Sequence, residues 1–245
     1  MPLPRLDADD RRRAVKRVDA WWTVLVIDPI ALRVLPFLVG RPAVTPMRLT
    51  VAAAVPGAAS VGLFFAGHLV LAAVLFQLRF LLDCLDGKLA RLRRTASPRG
   101  AFVDLMADVA LVSAAIAGLG WHVVRERDVR FELPAAVLVA SSVLFWLILY
   151  DLAHPATVPG RVRSGRLSRW MARHRLERLP RTVEVEAGLL FLAPLTGSTT
   201  VLVVALVLAL GYYVLAGLRL VVVLYRRLPA DSPAPAERPA AAVPQ

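Results

Sequence analysis

Long apolar runs constrain this chain more than any other feature. Met47–Ala66, Leu69–Leu92, Ala101–Val124, Pro134–Ala153 and Thr199–Tyr225 lie near the roughly 20 residues that cross a bilayer as a helix, and Ala187–Leu195 is a shorter run of the same kind. With 58% hydrophobic residues in a chain of 245, the apolar content exceeds what one soluble core of this size needs. The expectation is an all-α, polytopic membrane protein with six transmembrane helices preceded by an N-terminal amphipathic interfacial helix. A cleavable signal peptide is not expected, because the first apolar stretch, Ala20–Ile27, is short and runs into Asp28-Pro29.

The net charge of +12 matters through its placement. Arg and Lys gather at Arg5–Arg48, Lys88–Arg99, Arg161–Arg181 and Arg219–Arg227, whereas the connections Gly67-His68 and Thr196–Ser198 carry none. The basic clusters therefore face the cytoplasm, with both termini inside, in a multi-pass protein of the cell membrane. Arg125–Glu132 is the weak point of that topology, since its three arginines are offset by Glu126, Asp128 and Glu132. The eight arginines of Arg161–Arg181, spaced around Leu167 and Trp170, fit an amphipathic cytoplasmic connector bound to anionic headgroups, and no nucleic-acid partner is expected. Cys84 is the only cysteine, which excludes internal disulfides and a cysteine-built zinc site.

Three regions follow. Residues 1–44 form a cytoplasmic or interfacial segment, with a charged start, Trp21 and Trp22, then apolar residues interrupted by Asp28, Arg33 and Pro36. Residues 45–227 form the six-span domain, whose first helix opens on Thr45 as cap and Pro46 at the first helical position, with Pro56 placed to bend it. Residues 228–245 are Pro/Ala-rich and expected to be disordered.

Four aspartates stand where a bilayer protein tolerates few charges. On a helix over Leu69–Leu92, Asp83, Asp86, Gly87, Ala90 and Arg91 share one face; on the next span Gly100, Asp104 and Asp108 do the same. The short link Thr95–Arg99, with Pro98, predicts that the two helices are antiparallel neighbours with their acidic faces together. Four facing carboxylates cost several kcal/mol each to desolvate unless cations neutralise them. Oxygen ligands without His or Cys favour hard ions, Mg²⁺ or Mn²⁺, whose coordination substrate phosphates commonly complete. Small residues at Gly87, Ala90 and Gly100 would let a flat base and a diphosphate approach the backbone, and Arg91, Lys88 and Arg94 can hold phosphate charge.

The spacing Asp83-x2-Asp86-Gly87-x2-Ala90-Arg91-x8-Gly100-x3-Asp104-x3-Asp108 resembles the complete signature of the CDP-alcohol phosphatidyltransferase family, with all eight positions filled at the family's intervals. Thr45-Pro46-x-x-x-Thr50 resembles the family's start of the first span, with Met47 where that start carries Asn. The resemblance implies that a substituted phosphate passes from a CDP-alcohol, CDP-diacylglycerol foremost, to a hydroxyl of a second alcohol, releasing CMP in phospholipid synthesis. It implies a two-metal site in which Asp83, Asp86 and Asp104 ligate one ion and Asp83, Asp104 and Asp108 surround the other, with Asp108 also the general base. Gly87, Ala90 and Gly100 would shape the cytidine and diphosphate pocket, Arg91 would bind diphosphate oxygens, and Thr50 would belong to the CDP-alcohol site. A homodimer is implied as well.

Two other classes compete for the same acids. A transporter could use them as an ion or proton path, but has no need of small residues at fixed offsets; a membrane prenyltransferase also binds diphosphate through Asp-rich helices, but no second such motif exists here. Arg79, one turn before Asp83, is either its structural partner or a contact for an anionic acceptor. The acceptor, a small polar alcohol or an alcohol phosphate, stays open among glycerol phosphate, inositol phosphate, inositol and serine. His68, His122, His154 and His174 are isolated and receive no role; the tryptophans suit interfacial anchoring, and Gly118 and Gly120 suit close helix packing.

Overall fold

The computed structural model describes residues 6–127, 130–153, 166–177 and 181–227. Parts of the expected connector, at 161–165 and 178–180, as well as His154 and the tail 228–245, lie outside them. The described chain is helical: α1 Ala8–Ala14, a π turn Thr23–Ile27 leading into α2 Asp28–Val39, α3 Pro46–Ala66, α4 Leu69–Leu92, α5 Pro98–Arg127, α6 Glu132–Ala153, α7 Arg166–Arg173, α8 Thr182–Ala187 continuing through a π turn Gly188–Leu192 into α9 Ala193–Leu195, and α10 Thr199–Tyr225. Four helices, spanning Pro46–Ala66, Pro98–Glu126, Glu132–Asp151 and Thr199–Tyr225, are long and apolar enough to cross a membrane. This is an integral membrane protein. Helix α4 has the length but carries Arg79, Asp83, Asp86, Lys88 and Arg91. The α8–α9 rod, Thr182–Leu195, reaches only about 21 Å at 1.5 Å per residue.

Local chemistry sets the ends. Thr45 Oγ1 accepts from Arg48 N at 3.2 Å with Pro46 at the first helical position, as the sequence suggests, and α3 runs unbroken through Pro56. Gly67, at φ +82°, closes α3 in the left-handed conformation, and a Cβ there would also meet His122 Nδ1 at 3.0 Å. Between α4 and α5, Arg94 adopts φ 57°, Thr95 N donates back to Ala90 O, and Ser97 Oγ accepts from Gly100 N at 3.1 Å to start the next helix.

Glycines decide which helices touch. Helix α3 packs closely on both α4 and α5. A Cβ on Gly57 would come within 2.8 Å of Leu111 Cδ1 and 3.2 Å of Arg79 Cγ, and one on Gly118 within 3.0 Å of Phe64 Cβ. Gly120 brings α5 against α6, where an added Cβ would sit 2.5 Å from Pro134 Cβ. Helices α4 and α5, expected as antiparallel neighbours, both pack on α3 and bring their acidic side chains together. Acidic faces cannot pack as apolar ones do, and the interval between them is the site.

The core has two parts. Phe64, Phe76, Ile116, Leu119, Leu144, Leu190, Leu206 and Tyr213 join α3, α4, α5, α6, the α8–α9 rod and α10. A second cluster, Ala14, Ile27, Ala31, Leu35, Leu49, Leu85 and Leu89, fastens the N-terminal segment to the start of α3 and the end of α4. Charge reinforces it: buried Asp28 is held by Lys88 Nζ and Arg175 Nη2, both at 2.8 Å. Arg93 donates to the carbonyls of Leu38, Arg41 and Val44, tying the α2–α3 link to α4. A backbone bridge between Asp19 and Leu176 anchors the same segment to the residues after α7.

Candidate active site

The acid face forms as the helical spacing predicts. Ligand oxygens of Asp83 and Asp86 on α4 and Asp104 on α5 all lie within 4.8 Å of one another. Asp86 is buried, and its Oδ2 accepts from Thr50 Oγ1 at 2.5 Å, so α3 contributes the group that orients it. Asp104 Oδ1 is buried and has no hydrogen-bond partner among the described residues. Three converging carboxylates with one oxygen left without a donor are a site that fits a hard divalent cation, since such an oxygen is costly without one.

Asp108, the fourth acid, stands outside that trio. Its Oδ1 is ion-paired with Arg79 Nη2, and Arg79 is only 2% exposed. The i,i+4 spacing suggested Asp83 as the partner of Arg79; the structure gives the contact to Asp108 across helices. Stacking of the guanidinium over Phe76, 5.5 Å from the ring centre, and the absence of a side chain at Gly57 fix the direction in which Arg79 extends.

Around the acids, Gly87 lies beneath Arg91, where an added Cβ would be 3.3 Å from Nη1. Arg91 Nε donates to Ala14 O at 2.8 Å, which anchors the base of the guanidinium to the end of α1. Ala90 and Gly100 are half-buried along the same two faces. Lys88, considered for phosphate charge, is 2% exposed and spent on Asp28 behind the acid face, so it is not a phosphate ligand in this arrangement.

Residues 43–215 match the family model for CDP-alcohol phosphatidyltransferase. The chain belongs to the CDP-alcohol phosphatidyltransferase family. It is therefore a phosphotransferase that moves a substituted phosphate from a CDP-alcohol to a second alcohol and releases CMP, and the transporter and prenyltransferase readings fall away. Among solved structures it is similar to the phosphatidylinositol phosphate synthase PgsA1 of Mycobacterium tuberculosis with CDP-DAG bound, at 22% identity over 85% of this chain and 98% of that one, TM-score 0.60. The same protein in complex with manganese and citrate matches at 21% identity over 84% and 92%, TM-score 0.61. At this identity the likeness establishes a shared fold. A search of curated proteins finds no significant match.

Three contacts at or beside the site, Thr50 to Asp86, Arg79 to Asp108 and Lys88 to Asp28, and the burial of Glu186 are not read from the sequence. For the last two a signal existed, because Asp28 and Glu186 are acids set among apolar residues, where an ionisable group calls for a reason.

Proposed function

We propose that the chain uses CDP-diacylglycerol as donor and a small polar alcohol or alcohol phosphate as acceptor, with Mg²⁺ or Mn²⁺ held by Asp83, Asp86, Asp104 and Asp108. The observation that carries this reading is the convergence of Asp83, Asp86 and Asp104 around the unpartnered Asp104 Oδ1. Asp108 accepts the acceptor's hydroxyl proton as the hydroxyl oxygen bonds to the phosphorus distal to cytidine; the diphosphate P–O bond breaks and CMP departs with its electron pair. Arg91, folded over Gly87, holds diphosphate oxygens, and Ala90 and Gly100 leave room for the nucleotide. Thr50 acts on the CDP-alcohol through Asp86, whose carboxylate it orients, and Arg79 positions Asp108. Bound cations supply the charge neutralisation that lets an anionic diphosphate enter and stabilise the departing CMP.

The same reading places α4 and the α8–α9 rod in the bilayer beside the four apolar helices, for six spans within residues 45–227. Residues 1–44 then lie at the cytoplasmic interface, with Trp21, Leu25, Ile30 and Phe37 exposed for contact with lipid. Residues 228–245 form the cytoplasmic tail, the site faces the cytoplasm of the cell membrane, and the enzyme is a homodimer. Incubating purified protein with labelled CDP-diacylglycerol, Mg²⁺ and each acceptor in turn tests the reading through CMP release. Release with one acceptor, abolished by excess EDTA, is the expected result; full release in EDTA refutes the metal site.

A further inference from the structure

Glu186 is a buried carboxylate that the reaction does not use. It sits near the end of α8, 9% exposed, with no hydrogen bond or ion pair among the described residues. Together with Phe76, Gln77 and Trp22 it lines a small cavity, and Phe76 is the ring over which the Arg79 guanidinium lies. Glu186 is thereby an electrostatic neighbour of both Arg79 and Asp108. Trp22 Nε1 and Gln77 Nε2 are buried without hydrogen-bond partners among the described residues, and both residues line the same cavity.

An unpaired carboxylate beside an already paired arginine is costly unless another state uses it. Without cations, Arg79 is held by Asp108. Two divalent cations would neutralise the four aspartates, and the buried guanidinium would then be the charge left without a counter-ion. We propose that Glu186 is the second counter-ion of Arg79, a positioning residue that receives the guanidinium when Asp108 turns to the metal site. The ion pair exchanges within one cluster, so Asp108 is freed for proton transfer without stranding Arg79 in the bilayer. The exchange rests on the metal-site reading above and adds to it a residue from α8, outside the family's aspartate signature.

Mn²⁺ binding to the full chain in detergent, followed by loss of the free-ion electron paramagnetic resonance signal, tests this without turnover. Glu186→Gln should weaken Mn²⁺ binding about tenfold, within the usual range for coupled sites. Glu186→Asp should recover part of the loss, and Arg79→Met combined with Glu186→Gln should bind better than Glu186→Gln alone, because no guanidinium remains on Asp108. In EDTA, Glu186→Gln should melt no lower than the parent, since the carboxylate is unpaired in that state. Parent affinity in Glu186→Gln, a double variant no better than the single, or a lower melting temperature in EDTA would each overturn the exchange. A parent protein that binds no Mn²⁺ would instead overturn the metal site itself.

Discussion

Removing one hydroxyl from α3 should change how the enzyme responds to metal while leaving its chemistry intact. Thr50 Oγ1 donates to Asp86 Oδ2 at 2.5 Å, and Asp86 is 5% exposed, so water cannot readily replace the donor. A hydrogen bond to a charged group contributes about 1.5–3 kcal/mol. Thr50 is only half-buried, and its hydroxyl is shared with Pro46 O at 3.2 Å, which argues for the lower end. At about 1.4 kcal/mol per decade, Thr50→Val should raise the Mg²⁺ concentration for half-maximal activity about tenfold. That is also the scale on which partners behind a metal ligand act. Initial CMP release at saturating donor and acceptor, titrated with Mg²⁺, gives both the half-saturation point and the plateau. The plateau should return to within about twofold of the parent, and Thr50→Ser should titrate like the parent. An unchanged metal titration with a depressed plateau, or with a raised KM for donor, would refute the assignment and place Thr50 directly on the nucleotide.

Asp108→Asn should lose about 10²–10⁴ in turnover with donor binding retained and no rescue by added metal, whereas Asp86→Asn should recover partly at high Mg²⁺ or Mn²⁺; CMP release and donor binding in both variants separate base from ligand. Gly120→Ala should destabilise by about 1–3 kcal/mol, because the new Cβ meets Pro134 Cβ at 2.5 Å and a proline ring cannot swing away, while Gly62→Ala, with nothing within 4 Å, should not; thermal unfolding in detergent distinguishes them. A cysteine placed at Ser97 in a Cys84→Ser background should be labelled by impermeant maleimide only from the cytoplasmic side, and labelling from outside would invert the topology.

Much of the fold is legible because its causes are local. Thr45-Pro46 starts a helix wherever it stands before an apolar run, and the helix does start there. Spacings of three and four put Asp83 with Asp86, and Asp104 with Asp108, on single faces by geometry alone. Four helices are apolar enough to cross a membrane on composition alone, whereas α4 has the length but carries Arg79, Asp83, Asp86, Lys88 and Arg91, and those charges include two acids of the site.

The sequence by itself determined the helices, the acid faces and the family, since each depends on residues a few positions apart. Tertiary structure alone decided who answers each charge. Arg79 has an aspartate at i+4, yet it reaches Asp108, because Gly57 and Phe76 direct a buried guanidinium across the interval between helices. Lys88 stands within the motif, yet it is spent on Asp28, sixty residues earlier in the chain. Thr50 reaches Asp86 only once α3 has packed on α4. A buried charge takes the partner with the lowest desolvation cost, and in a helical bundle that partner is set by which helices meet, which periodicity along one helix does not encode.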